Sequence, residues 1–123
     1  MAQDEVDLIA IVHKVAEYLQ DRYRIEDIIL FGSWAEGKAD PWSDIDLAVT
    51  SPEFEGQTLP ERVDLAVDVQ VACSGLVELH PLSPTAVANA RPSNFTGHIL
   101  RAGKYLMKDG RWVIQDPQAA ETR

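Results

Sequence analysis

Apolar positions change period several times along this chain, and each change marks an element. Leu8, Ile11, Val12, Val15 and Leu19 recur at three- and four-residue intervals. That is the stripe of an amphipathic helix over residues 4 to 22, with Asp4, Glu5 and Asp7 near its positive N-terminal end. Ile28-Ile29-Leu30-Phe31 is a short apolar run closed by Gly32, which predicts a buried strand beginning at Asp27 or Ile28. After Gly32-Ser33 there is room for a short helix before Gly37, and Asp44-Ile45-Asp46-Leu47-Ala48-Val49 then alternates with the period of a half-buried strand. Leu76–Leu82 predicts a further strand, and Ser83-Pro84 opens a short helix through about Ala90. Pro92 and Gly97 bracket another short element. Lys104–Met107 and Arg111–Ile114 flank Asp109-Gly110, a strong hairpin signal.

Residues 58 to 73 fit two periods. Val63, Leu65, Val67, Val69 and Val71 alternate with Asp64, Ala66, Asp68 and Gln70, as in a strand rich in β-branched residues. Thr58-Leu59-Pro60-Glu61, however, carries the Thr-x-x-Glu of a helical capping box with an early proline, and Ser74-Gly75 supplies a stop.

Composition narrows the class. At 123 residues the chain holds one core, read as a single domain over residues 1–115 with a polar, flexible tail at 116–123. No run approaches the roughly 18 apolar residues of a membrane span, and the acidic N-terminus has the wrong sign for a signal peptide. One cysteine, Cys73, cannot form an internal disulfide, so the expected setting is a reducing cytoplasm and the thiol a core filler. The formal net charge of −9 repels phosphate backbones and argues against a general nucleic-acid binder. It leaves room for a nucleoside triphosphate carried with Mg²⁺, and for a basic protein partner.

Chemistry concentrates around residues 32 to 46. On an extended strand Asp44 and Asp46 share a face, about 6 to 7 Å apart at about 3.3 Å per residue. Two carboxylates that close call for a cation, and Mg²⁺ shares its shell readily with substrate phosphates. Gly32 permits close backbone approach, and Ser33 offers a hydroxyl and N–H groups to a phosphate. Lys38 is the only cation in this loop. His13 has no second ligand at helical spacing, and Trp34 is read as a packing residue.

The segments Ile29-Leu30-Phe31-Gly32-Ser33-Trp34-Ala35-Glu36-Gly37 and Ser43-Asp44-Ile45-Asp46-Leu47-Ala48-Val49, with ten residues between Ser33 and Asp44, resemble the nucleotidyltransferase superfamily that includes DNA polymerase β. The likeness is closest to its small stand-alone members, the minimal nucleotidyltransferases. It implies an α/β (α+β) fold, a small mixed sheet with helices packed on it, and a helix rather than a strand over residues 58 to 73. It also implies a third carboxylate on a neighbouring strand: Glu78, with Asp68 the alternative had residues 63 to 71 been the strand. By this resemblance Asp44, Asp46 and Glu78 are the catalytic carboxylates and hold two Mg²⁺ ions, while Gly32, Ser33 and Lys38 bind ATP. His80 shares Glu78's face and is expected to stand by, because such an ion prefers oxygen. Relatives commonly carry arginine where this chain has Glu36, which removes a phosphate contact and adds a carboxylate. Small members of the family are typically paired with a helical HEPN protein as antitoxin and toxin, and transfer AMP to a toxin tyrosine. The alternatives are a catalytically weak domain that neutralises its partner by binding, and a small-molecule transferase of the aminoglycoside-modifying kind. Homo- and hetero-oligomers are both compatible with the sequence.

Overall fold

The structure, a computed structural model, describes residues 7–114; Asp4, Glu5 and the tail at 116–123 lie outside the described residues. A long helix, α1 (Leu8–Gln20), opens with the Asp7 side chain accepting from the Ala10 N–H. It is followed by β1 (Asp27–Phe31), a 3₁₀ turn at Gly32–Trp34, and β2 (Ile45–Thr50). Next come α2 (Leu59–Ala72), β3 (Val77–Leu82), the short helices α3 (Pro84–Ala88) and α4 (Phe95–Ala102), and the hairpin β4 (Lys104–Lys108) and β5 (Arg111–Trp112).

The five strands form one sheet in the order β3-β2-β1-β4-β5. β1 runs antiparallel to both β2 and β4, whereas β2 and β3 are parallel and joined through α2. A parallel pair requires such a crossover, and α2 supplies it. Both halves of the Thr58–Glu61 capping box form, so residues 58 to 73 are a helix as the resemblance implied. Asp109 and Gly110 take positive φ values of 52° and 79°, as a tight hairpin turn requires. The helix expected after Ser33 is only the three-residue 3₁₀ turn.

Strand alternation sorts the core into two layers. Ile28, Leu30, Ile45, Leu47, Val49, Val77 and Leu79 pack with Val12, Val15, Ala16 and Leu19 of α1 and with Leu65 and Val69 of α2. On the opposite face Ile29, Phe31, Ala48 and Leu82 meet Ile99 of α4 in a smaller cluster. Asp46, Glu78 and His80 have the parity of this second, thinly covered face. That places polar side chains where no helix of the larger layer covers them.

Candidate active site

The carboxylates come together through register rather than through sequence spacing. In the parallel pair Asp46 stands opposite Glu78 and Ala48 opposite His80, while in the antiparallel pair Phe31 stands opposite Asp46. Ligand atoms of Asp46, Glu78 and His80 all lie within 4.8 Å of one another. His80 Nε2 is 3.9 Å from Asp46 Oδ1 and 3.7 Å from Glu78 Oε1. Both distances exceed a hydrogen bond, and the buried Nε2 has no hydrogen-bond partner among the described residues.

Asp46 and Glu78 converge with His80, and Asp44 stands apart from them. Asp44 precedes the first residue of β2, is exposed, and is not one of the three residues whose donor atoms converge. It still acts on Asp46 through its charge. His80, expected to stand by, is a member of the converging group. The physical reason is the register: on a strand two residues apart both side chains reach the same face, and pairing with β2 brings both to Asp46. Asp68 lies exposed on α2.

Electrostatics mark Asp46. Burial, then the neighbouring charges of Glu78 and Asp44, push its carboxyl up to about 6. His80 moves the other way, because burial pulls its imidazole below the ordinary value although Glu78 opposes this. Phe31 and Phe95 hold the His80 ring edge-on, with centroids 5.1 and 5.6 Å away.

Gly32 is the counterpart from the other side. Its φ is +73°, a backbone conformation that favours glycine, and a Cβ there would overlap Asp46 Oδ2. The glycine therefore lets the turn close down on the carboxylate. Trp34 anchors the loop that follows: its Nε1–H donates to the Ser43 carbonyl at 3.2 Å and its ring packs on the larger core, as expected for a packing residue. Asp40 closes the loop's far end, its Oδ1 accepting from the Trp42 N–H at 2.8 Å. Ser33 is exposed, and Lys38 Nζ lies 3.8 Å from Glu36 Oε1 on the exposed rim. His13 stacks on Trp112 at 5.9 Å, far along the chain from this cluster.

The sequence matches the family model described as a nucleotidyltransferase domain over residues 12–91, and the chain belongs to that family. No curated protein matches it. Among solved structures, a toxin-antitoxin crystallised with AMP-PNP is similar at 24% identity and TM-score 0.58, covering 89% of this chain and 77% of the other. A putative nucleotidyltransferase from Sulfolobus solfataricus is similar at 16% identity and TM-score 0.57, covering 91% and 92%. A mutant of the toxin-antitoxin MntA-HpeT is similar at 22% identity and TM-score 0.55, covering 89% and 77%. At these identities the likeness establishes the shared fold. The protein is a nucleotidyltransferase-family domain with a mixed five-stranded sheet.

The donor set suits a divalent cation. It combines two carboxylates on adjacent strands with a buried imidazole nitrogen that has no hydrogen-bond partner among the described residues. Among the described residues no helix is long and apolar enough to cross a membrane.

Proposed function

We propose that this domain transfers AMP from ATP to a hydroxyl of a partner protein, as the antitoxin of a pair whose toxin is HEPN-like. The observation carrying the reading is the closure of the Gly32 turn onto Asp46, with Glu78 directly across the β2–β3 ladder. It sets the backbone of the turn directly beside the converging carboxylates. In the reaction the acceptor oxygen attacks the α-phosphorus, the bond to the β-phosphate oxygen breaks, and pyrophosphate leaves. Asp44, Asp46 and Glu78 are the residues to hold Mg²⁺, which when bound neutralises the triphosphate and favours the ionised acceptor hydroxyl. Ser33 and the first N–H groups of the 3₁₀ turn face the phosphates, since the opening donors of a helical turn have no partner within it. Lys38, on the rim, neutralises phosphate charge on leaving Glu36. Such chemistry needs alignment more than covalent help, so a sparse site suffices.

A protein acceptor is supported by the surface next to the site. His80 lines a cleft shared with Leu59, Val63, Leu79, Pro81 and Phe95. Beyond it α2 carries Leu59, Val63, Val67 and Val71 exposed at four-residue intervals. The apolar surface thus reaches His80, which neighbours both carboxylates. Toxin-antitoxin partnership is a property of two of the similar structures, and its extension to this chain is part of the proposal.

The test is direct. The protein is incubated with ATP, Mg²⁺ and its co-purifying partner, and the partner is weighed intact. A gain of one AMP is expected, and it is expected to vanish with Asp46→Asn. Tight binding without mass change would instead favour neutralisation by contact, a reading supported by Glu36, whose carboxylate engages the one cation of the loop.

A further inference from the structure

The strand that supplies Glu78 also supplies an imidazole, at His80, on the same face. We propose that His80 is a direct metal ligand through Nε2, completing a mixed nitrogen–oxygen set with Asp46 Oδ1 and Glu78 Oε1, and that the site therefore takes a first-row ion such as Mn²⁺ or Co²⁺ in preference to Mg²⁺. The inference rests on the metal-dependent reading of the same site.

Geometry carries it. Donors about 2.1 Å from a common ion stand about 3 Å apart at right angles and about 3.4 Å apart in a tetrahedron. The imidazole nitrogen is 3.9 and 3.7 Å from its two carboxylate neighbours, too far for hydrogen bonds and slightly wide of an ion's coordination edges. Glu78, which is exposed, is the partner free to move toward the held ring. Nε2 is buried and has no hydrogen-bond partner among the described residues, an arrangement that costs free energy unless another group engages the atom. Rotation is restricted as well, because Phe31 and Phe95 flank the ring edge-on. Tethering to β3 opposite Ala48 aims it along the ladder toward Asp46.

Donor softness then selects the ion. Imidazole is a poor ligand for Mg²⁺, which prefers oxygen and keeps several waters, but a good one for transition ions. Asp44, which is exposed and does not converge with the other three, remains available to a second ion of the oxygen-preferring kind that arrives with the nucleotide.

Metal-free protein is titrated calorimetrically with Co²⁺, Mn²⁺ and Mg²⁺ in the absence of nucleotide, and the Mn²⁺ complex is examined by electron spin-echo envelope modulation with ¹⁵N-histidine labelling. Wild type is expected to bind Co²⁺ at least tenfold more tightly than Mg²⁺. His80→Ala is expected to lose at least tenfold in Co²⁺ affinity while Mg²⁺ affinity changes less than threefold. The wild-type Mn²⁺ complex is expected to show a directly bound imidazole nitrogen, which requires no variant to fold. Equal Co²⁺ affinity in His80→Ala and wild type, or no bound nitrogen in the wild-type spectrum, overturns the assignment. AMP transfer supported by Mg²⁺ that persists under either negative result leaves the proposed function standing and removes only the role of His80. Wild-type protein that adds no AMP to its partner removes the function itself, and transfer that persists in Asp46→Asn removes the carboxylate site as its seat.

Discussion

Asp46 and Gly32 make one unit at the residue scale. The aspartate sits on the middle of three paired strands, and its Oδ2 occupies the space a side chain at position 32 would need. An alanine there meets two penalties: a positive φ that costs about 1–2 kcal/mol for a residue with a Cβ, and an overlap relieved only by moving the carboxylate. Gly37 separates the two effects, because it has the same φ of +73° with nothing within 4 Å of its would-be Cβ. Both variants should lose stability in denaturant titrations through the shared φ, and Gly32→Ala should lose at least as much as Gly37→Ala because it must also displace the carboxylate. Only Gly32→Ala should lower AMP transfer, by tenfold or more; equal activity in the two variants would detach the turn from the carboxylate. The sequence revealed this glycine through its place after an apolar run, but for phosphate approach rather than for contact with Asp46. His80 was visible as a same-face neighbour of Glu78, and its role was hidden because nothing local encodes which residue of β2 a parallel strand will face. Asp44 stands one residue before β2 begins, because polar–apolar alternation extends one residue past the point where pairing starts.

The ambiguity of residues 58 to 73 becomes informative at the scale of the element. Alternate valines looked like a strand because they satisfy two helical stripes at once. Leu65 and Val69 face the core, while Leu59, Val63, Val67 and Val71 face outward with 64, 51, 49 and 84% exposure. The first stripe is buried in the core, while the second leaves about half or more of each side chain exposed and is the surface the proposed partner would cover. Charge constrains its occupant: Glu61, Asp64 and Asp68 are exposed on the same helix, and the whole chain carries −9, so a second copy would be repelled and a basic apolar partner accommodated. Replacing Val63 and Val67 together with aspartate should weaken partner capture at least tenfold in surface-based binding measurements. The melting temperature should hold within about 2 °C, as expected of exposed positions. Capture that is unchanged would place the interface elsewhere. Most other elements were legible from caps and turns, because Thr58, Ser83 and Asp109-Gly110 act within a few residues of themselves. Sheet order and register were not, since they depend on which distant strands bury each other.

Whole-molecule stability should report the cost of gathering these charges. Asp46 titrates at about 6 in the fold against 3.8 for the ordinary carboxyl, so the native state binds its proton more tightly than the unfolded chain. Stability from this group is present at low pH and declines as pH rises from about 4 through about 6. Because the side chain is partly solvated, the loss by neutral pH is on the order of 1 to 2 kcal/mol after screening. His80 works oppositely: its lowered imidazole value leaves the unfolded chain holding more protons just below 6.5, so that contribution grows with pH. The two partly cancel in a simple pH scan, and the comparison that isolates Asp46 is wild type against Asp46→Asn. In metal-free buffer the variant should be the more stable at pH 7.5 by about 1 kcal/mol, with the difference disappearing by about pH 4, where the wild-type carboxyl is also neutral. A divalent ion should reverse the order at pH 7.5, because it binds the ionised carboxylates of the native state and stabilises by mass action. The same addition at pH 5 should raise the wild-type melting temperature much less, since the ion must first displace a proton from Asp46. An Asp46→Asn variant less stable than wild type in metal-free buffer at pH 7.5 would mean that the carboxylates are satisfied by the fold itself. The site would then be structural, and the crowding of negative charge on the open face of the sheet would need no cation to explain it.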